Sequence, residues 1–331
     1  MKIGLIGATG LVGSVMLKVL EERGFGKQEL LPAASNHSVG KEIVFNGNKT
    51  VLLSVEEVLA ASPDIALFAV GSSVSFHFVP LFAEKGCYVI DNSSAWRMHE
   101  SVPLIVPQVN AKELKRSDKM IANPNCSTIQ LVMALCPLHA AFKIKRLVIS
   151  TYQSVTGTGI KGVNQLLSER MGKLGEMAYP HPIDLNIFPH AGSFDSNGQT
   201  SEEEKLVNET RKILNDNTIQ ITATVVRVPV IGGHSESVNI EFEQSYSLEE
   251  VIKLLNDMQG VVVTDNPNAN EYPMPRFAQH KDDVFVGRIR RDFSKENCLN
   301  MWIVADNLRK GAATNAVEIA EYIMEKEWLN K

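Results

Sequence analysis

No run of about 18 apolar residues occurs in the sequence, so no segment reads as a membrane span. There is no lysine- or arginine-rich tract, and basic and aromatic residues do not interleave as single-strand binding requires. With a net charge of -5, nothing points to nucleic acid or an anionic membrane as a partner. Cysteine is scarce. Cys87, Cys126, Cys136 and Cys298 form no C-x-x-C pair and match no zinc spacing, so no metal is expected. The opening MKIGLIGATG is broken by Gly4, Gly7 and Gly10 and is followed by no small-residue cleavage site. It reads as strand and turn, not as a signal peptide. These absences lead to the expectation of reduced thiols and a cytoplasmic location. Internal repeats and low-complexity segments are lacking too.

What is present is a chain of 331 residues, 44% apolar and 21% charged, which suits two domains of an ordinary soluble protein. In KIGLIGATGLVGSVMLKVLEERG a short apolar run is followed by a glycine turn. Val12, Val15, Met16, Val19 and Leu20 then recur at helical spacing. Gly7, Gly10 and Gly13 fall as G-x-x-G-x-x-G. Such a turn lets backbone N–H groups approach a pyrophosphate at the positive end of a helix, although glycines there can be purely structural. Strand-like runs at 64–71 and 87–94 alternate with helical stretches at 55–61 and 75–84, which predicts a doubly wound, mostly parallel sheet. Between Leu30 and Lys41, where the second strand ends, there is no acid to hold ribose hydroxyls. This leans toward NADP, with only His37 and nearby Lys41 as positive partners.

The stretch ANPNCSTIQL places Cys126 between a proline turn and an apolar helical run. A thiol at a helix amino terminus is lowered in pKa by the dipole and free N–H groups, which can also bind an oxyanion. Cys136, on the apolar face of that helix, reads as core, as do Cys87 and Cys298. A thiolate nucleophile needs a proton-transfer partner. Most of the eight histidines lie in helical stretches or polar loops. His234 follows Gly232-Gly233 in RVPVIGGHSESVNIEF, between two strands, and reads as a turn histidine open on one side. Arg227, seven residues upstream, is a candidate fork for a substrate carboxylate.

GATGLVG, DNSSAWRM, NPNCST, TYQSVTGTG, EEEK, RVPVIGGHSESVNIEF and DNLRKGAATNAVEIAE, in this order over nearly the whole chain, resemble the aspartate-β-semialdehyde dehydrogenase family. The resemblance implies NADPH-dependent reductive dephosphorylation of L-4-aspartyl phosphate to L-aspartate 4-semialdehyde. That step leads toward lysine, threonine, methionine, isoleucine and diaminopimelate. It implies Cys126 as the nucleophile that forms a thioester, Gln153 as a substrate-orienting residue and His234 as the general acid/base. Arg227 is implied to hold the α-carboxylate and Glu202 the amino group, while Arg97 and Lys205 bind phosphate with help from Asn125. For the cofactor it implies Gly7, Thr9, Gly10, Leu11, Val12 and Gly13 around the pyrophosphate, His37 and Ser38 after the second strand, and Ser72, Thr156, Gly157 and Asn307. Many bacterial members have arginine where this chain has His37, so NAD stays open. The alternative is a reductase of another acyl phosphate, such as N-acetyl-γ-glutamyl phosphate. Those relatives resemble NPGCYPT at the cysteine, whereas this chain has NPNCSTI, and Glu202 suits a free amino group.

The family fold and the local patterns agree on a Rossmann-type NADP-binding domain over 1–124 and 308–331. Residues 125–307 are expected to form an α+β catalytic and dimerisation domain with a mixed sheet. Members of the family are homodimers, in some cases homotetramers. The proline-bearing stretch Gly172–Ser201 reads as a long loop serving an interface or an active site.

Overall fold

The structure, a computed structural model, describes residues 1–173 and 175–329. Leu174, within the long loop expected at 172–201, and Asn330 and Lys331, within the segment expected at 308–331, lie outside the described residues. The chain divides into two compact units. One runs from Met1 to Pro124 and resumes at Ala312; the other is Asn125–Gly311.

In the first unit, β1 (Lys2–Ile6), β2 (Glu29–Ala33), β5 (Ile65–Phe68), β6 (Tyr88–Asp91) and β7 (Met120–Ala122) form a wholly parallel sheet in the order β2-β1-β5-β6-β7. A hairpin, β3 (Glu42–Phe45) with β4 (Asn48–Val51), follows β2. The central strands are buried along their length, as strands covered on both faces must be. Their alternate residues feed two separate cores. Ile3, Leu5, Ile65, Leu67 and Ile90 pack with Met16 and Leu20 of the first helix and Ala316, Ile319 and Ile323 of the last. Ile6, Ala66, Phe68 and Val89 pack with Val58, Val79 and Phe82 on the other side. The sheet is doubly wound for that reason. The helix expected from Ser75 begins at Ser72, and the last helix is Thr314–Glu325, preceded by a wide π-helical turn at Arg309–Ala313.

In the second unit, β8 (Ile144–Gln153), β9 (Gln220–Arg227), β10 (His234–Phe242), β11 (Val261–Val263), β12 (Val284–Arg291) and β13 (Cys298–Ala305) form a mixed sheet ordered β11-β12-β13-β10-β8-β9. The β8–β9 and β11–β12 pairs are parallel and the rest antiparallel. The helix Cys126–Phe142 lies along one face, where Phe142 meets Phe242 with ring centroids 5.5 Å apart. On the opposite face Val148, Tyr152, Asn239, Asn300 and Trp302 are only half-buried. β9 stops at Arg227, two residues before Pro229, which has no N–H for a ladder. β10 starts at His234.

Candidate active site

The second unit assembles its polar groups around the head of the Cys126 helix. Asn125, in extended conformation, is the N-cap, and its side chain accepts from Ser127 N at 3.0 Å. Cys126 is thus the first helical residue, half-buried, at the positive end of a 17-residue helix with no acid in its first turn. Two acids fix the cap. Glu209 accepts from the Asn125 backbone N–H at 2.6 Å, and Glu202 from the Asn125 side-chain amide. Glu202 also pairs with Lys205 at 2.8 Å. Ser127 Oγ accepts from Gln153 Nε2 at 2.9 Å, which ties the helix to the end of β8.

Beside Gln153 stands His234, which the structure moves out of the open turn expected for it. It is the first residue of β10 and 0% exposed. Gly232 and Gly233, at φ of 77° and 79°, bend the chain sharply enough for the strand to start there. Ser154 N–H donates to His234 Nδ1 at 3.1 Å. Nδ1 is therefore an acceptor, and the neutral ring carries its proton on Nε2, which has no partner among the described residues. Burial, reinforced by the Arg227 charge and partly opposed by Glu202, depresses His234 from 6.5 to about 3. Arg227 ends β9, is buried, and donates Nη1–H to Ser154 O at 2.7 Å. A methyl at Gly157 would lie 3.0 Å from Arg227 Nη1 and 3.2 Å from His234 Nε2. Thr156 Oγ1 donates to Asn307 Oδ1 at 2.9 Å. One cluster thus gathers Gln153, His234, Arg227, Thr156, Gly157 and Asn307. A second gathers Asn125, Cys126, Glu202 and Lys205, and the Gln153–Ser127 bond joins the two.

The remaining expected residues belong to the first unit. Gly7 takes φ of 92°, and Gly10 caps the helix that starts at Leu11-Val12. A Cβ on Gly13 would collide with the Gly7 carbonyl, so the turn and helix approach each other only with glycine at both positions. Thr9 and Gly10 are exposed on this turn, where Gly10 N–H donates to Gly7 O at 3.0 Å, and the N–H groups of the helix's first turn beyond it fit a pyrophosphate. Gly7 N and Ala8 N bond to Ala33 O at the end of β2, and the exposed His37 and half-buried Ser38 follow in the next turn. Ser72 opens its helix and shares a hydrogen bond of 3.1 Å with Ser94. Arg97 is buried and donates to Asn92 O at 2.8 Å.

Several residues that shape the site were not singled out from the sequence. Ser127, Ser154 and Glu209 are read as site residues only once their partners are known. Asp91 is buried and accepts from Ser75 Oγ at 2.6 Å and Ser93 Oγ at 2.7 Å, so the serine-rich turn after β6 is organised by its aspartate. Cys136, expected in the core, is only half-buried, because its helix turns that side outward. The four cysteines form no disulfide. Among the described residues no group of three His, Cys, Asp or Glu side chains is placed to hold a metal ion, and no helix is long and apolar enough to cross a membrane.

A parallel sheet with a glycine cradle and a mixed sheet covered by a helix with a cysteine at its head make up a dinucleotide-binding oxidoreductase. Residues 2–117 match the family model for the semialdehyde dehydrogenase NAD binding domain, and 135–310 that for the semialdehyde dehydrogenase dimerisation domain. Aspartate-semialdehyde dehydrogenase of Aquifex aeolicus is 49% identical, with 98% of each chain covered, and that of Legionella pneumophila is 45% identical, covering 100% of this chain and 97% of the relative. The crystal structure of aspartate semialdehyde dehydrogenase II from Vibrio cholerae complexed with ASA superposes with a TM-score of 0.93 at 42% identity, covering 98% of each chain. The chain belongs to the aspartate-semialdehyde dehydrogenase family, oxidoreductases of amino-acid biosynthesis.

Proposed function

We propose that the protein reduces L-4-aspartyl phosphate to L-aspartate 4-semialdehyde and phosphate, using NADPH, in the cytoplasm. In this reading the Cys126 thiolate attacks the acyl carbon, the C–O bond to phosphate breaks, and a thioester remains on Sγ. When bound at the glycine cradle, the dinucleotide supplies the hydride that reduces this thioester. The helix-head N–H groups stabilise the oxyanion of each tetrahedral state. His234, neutral and carrying its proton on Nε2, gives a hydrogen bond to the developing oxyanion or the departing thiolate, and Gln153 orients the acyl group. Arg227 takes the α-carboxylate as a fork, Glu202 the ammonium group, and Lys205 and Arg97 the phosphate, with Asn125 beside them. Two cations on the phosphate, and at the other end one cation on the carboxylate with an acid for the ammonium group, fix the direction of so small a substrate, each charge-assisted bond contributing about 1.5–3 kcal/mol. Cofactor preference rests on the missing acid after β2, which leaves room for a 2′-phosphate beside His37 and Ser38. NAD remains the competitor.

The half-buried sheet face that carries Tyr152 and Trp302, 5.4 Å apart, is the surface we assign to pairing with a second copy, giving a homodimer. The observation that carries the reading is Cys126 at the head of its helix, its neighbour Ser127 bonded to Gln153. The test is the reverse assay with semialdehyde, phosphate and NADP+, followed at the nicotinamide absorbance. Phosphate-dependent reduction is expected, and it disappears in Cys126→Ala. Its absence in the unaltered protein overturns the proposal.

A further inference from the structure

The interface between the Cys126 helix and β10 is apolar at its far end, where Phe142 meets Phe242, and Val238 and Ile240 are buried on the same side of the strand. One step below the reacting groups this changes. Gln130 lies one helical turn after Cys126, Thr151 two residues before Gln153, and Glu236 two residues after His234. The 3.6 and 2.0 periodicities therefore place each beneath the residue it follows or precedes. Thr151 and Glu236 stand directly opposite each other in the β8–β10 ladder. All three are 0% exposed. Gln130 Nε2 reaches His234 O at 3.5 Å, and its side chain also neighbours the Glu236 carboxyl.

This trio has a shortage of donors. Both Glu236 oxygens, Gln130 Oε1 and Thr151 Oγ1 have no partner among the described residues. An ionised carboxylate only accepts, so it can take a hydrogen bond from the Gln130 amide but cannot supply the donor that Gln130 Oε1 lacks. One proton on Glu236 turns an oxygen into a donor and resolves the mismatch. The Gln130 amide then stays on His234 O, and the Thr151 hydroxyl has a carboxyl oxygen to donate to. Burial raises Glu236 well above the ordinary carboxylate range, only partly opposed by the Gln130 amide.

We propose that Glu236 is a positioning residue of this site: as a carboxylic acid it donates to Gln130 Oε1 and accepts from Thr151 Oγ1, keying the Cys126 turn of the helix to the His234 end of β10. This rests on Cys126 and His234 as the reacting pair. The test uses the full chain and two variants. At neutral pH the unaltered protein shows an infrared C=O band of a protonated carboxyl that is missing from Glu236→Gln. In that variant an amide N–H replaces the O–H, so kcat stays within about threefold and iodoacetamide alkylates Cys126 at an unchanged rate. Glu236→Leu leaves Gln130 Oε1 and Thr151 unsatisfied. It lowers kcat on the order of tenfold with KM nearly constant and slows alkylation, because sub-ångström misplacement is costly at a reacting centre. The proposal is overturned by a missing band, by Glu236→Gln losing activity at unchanged Tm, or by Glu236→Leu alkylating and turning over normally. Should Glu236→Leu not fold, the band and Glu236→Gln still decide. If only the parent reading fails, turnover is absent while the band and the alkylation pattern persist.

Discussion

Ser154 holds His234 through its backbone N–H, which donates to Nδ1 at 3.1 Å, and its carbonyl on the next peptide unit accepts from Arg227 Nη1 at 2.7 Å. A single residue therefore fixes the imidazole tautomer and anchors the guanidinium. With its Nδ1 lone pair engaged and its Nε2 proton unpartnered, neutral His234 is built to donate a hydrogen bond from Nε2–H rather than to take a proton from the thiol.

A pH profile follows. Because His234 sits near 3 in the folded protein, it is neutral throughout the range in which the enzyme would be assayed, and kcat/KM should show no limb near the ordinary histidine value of 6.5. His234→Asn should lower kcat/KM by roughly 10²–10⁴-fold at every pH, without changing the profile's shape. A limb near 6.5 that disappears in His234→Asn would show that the ring ionises during catalysis and refute the assignment.

Gly157 is held to glycine by space. A methyl there would stand 3.0 Å from Arg227 Nη1 and 3.2 Å from His234 Nε2, inside normal contact for two side chains that Ser154 keeps from retreating. Gly157→Ala should lower kcat/KM on the order of a hundredfold, the usual penalty for a displacement near 1 Å at a reacting centre. Gly157 itself is exposed, so Tm should move little. Steady-state kinetics and a thermal melt on one preparation check this, and an equal loss of both would mean the methyl damages the fold instead.

Arg227→Lys should chiefly raise KM. An ammonium group replaces the fork with a point charge and cannot both bond Ser154 O and present two parallel N–H groups to a carboxylate. Saturation kinetics read this directly. A fall in kcat at constant KM would assign Arg227 to the transition state instead of to substrate binding.

The fold was legible where local pattern and tertiary demand agree. Buried runs such as IALF and the glycine turn after β1 announce a parallel sheet, and Asn123-Pro124-Asn125 announces the helix head at Cys126. His234 misled because paired glycines signal a turn, while the strand that buries its ring is defined only by pairing with β8 and β13. Glu209 and Glu236 were invisible for a related reason. An acid in a helix or an alternating strand reads as solvated unless its face is known to be covered. The β3–β4 hairpin escaped because its strands are mostly exposed and carry little apolar periodicity.

Stability against pH separates the two buried groups, since their shifts act with opposite sign. Between about 3 and 6.5 an unfolded His234 binds a proton that the folded ring does not, so stability rises with pH. Above the ordinary glutamate value of 4.5 the folded Glu236 keeps a proton that the unfolded chain has lost, so its contribution to stability falls as pH rises. Each slope is about 1.4 kcal/mol per pH unit. The two offset each other between 4.5 and 6.5, and above 6.5 only the Glu236 slope remains. Glu236→Gln removes that slope and leaves the rest, including the acid-side loss as Asp216, held low chiefly by Lys143, is protonated. The unfolding free energy of Glu236→Gln minus that of the unaltered protein should therefore climb with pH from about 4.5 upward at about 1.4 kcal/mol per unit, until the native carboxyl itself ionises. Denaturant unfolding of both proteins at a series of pH values measures this difference directly. A difference that stays flat would mean that Glu236 is ionised in the folded protein.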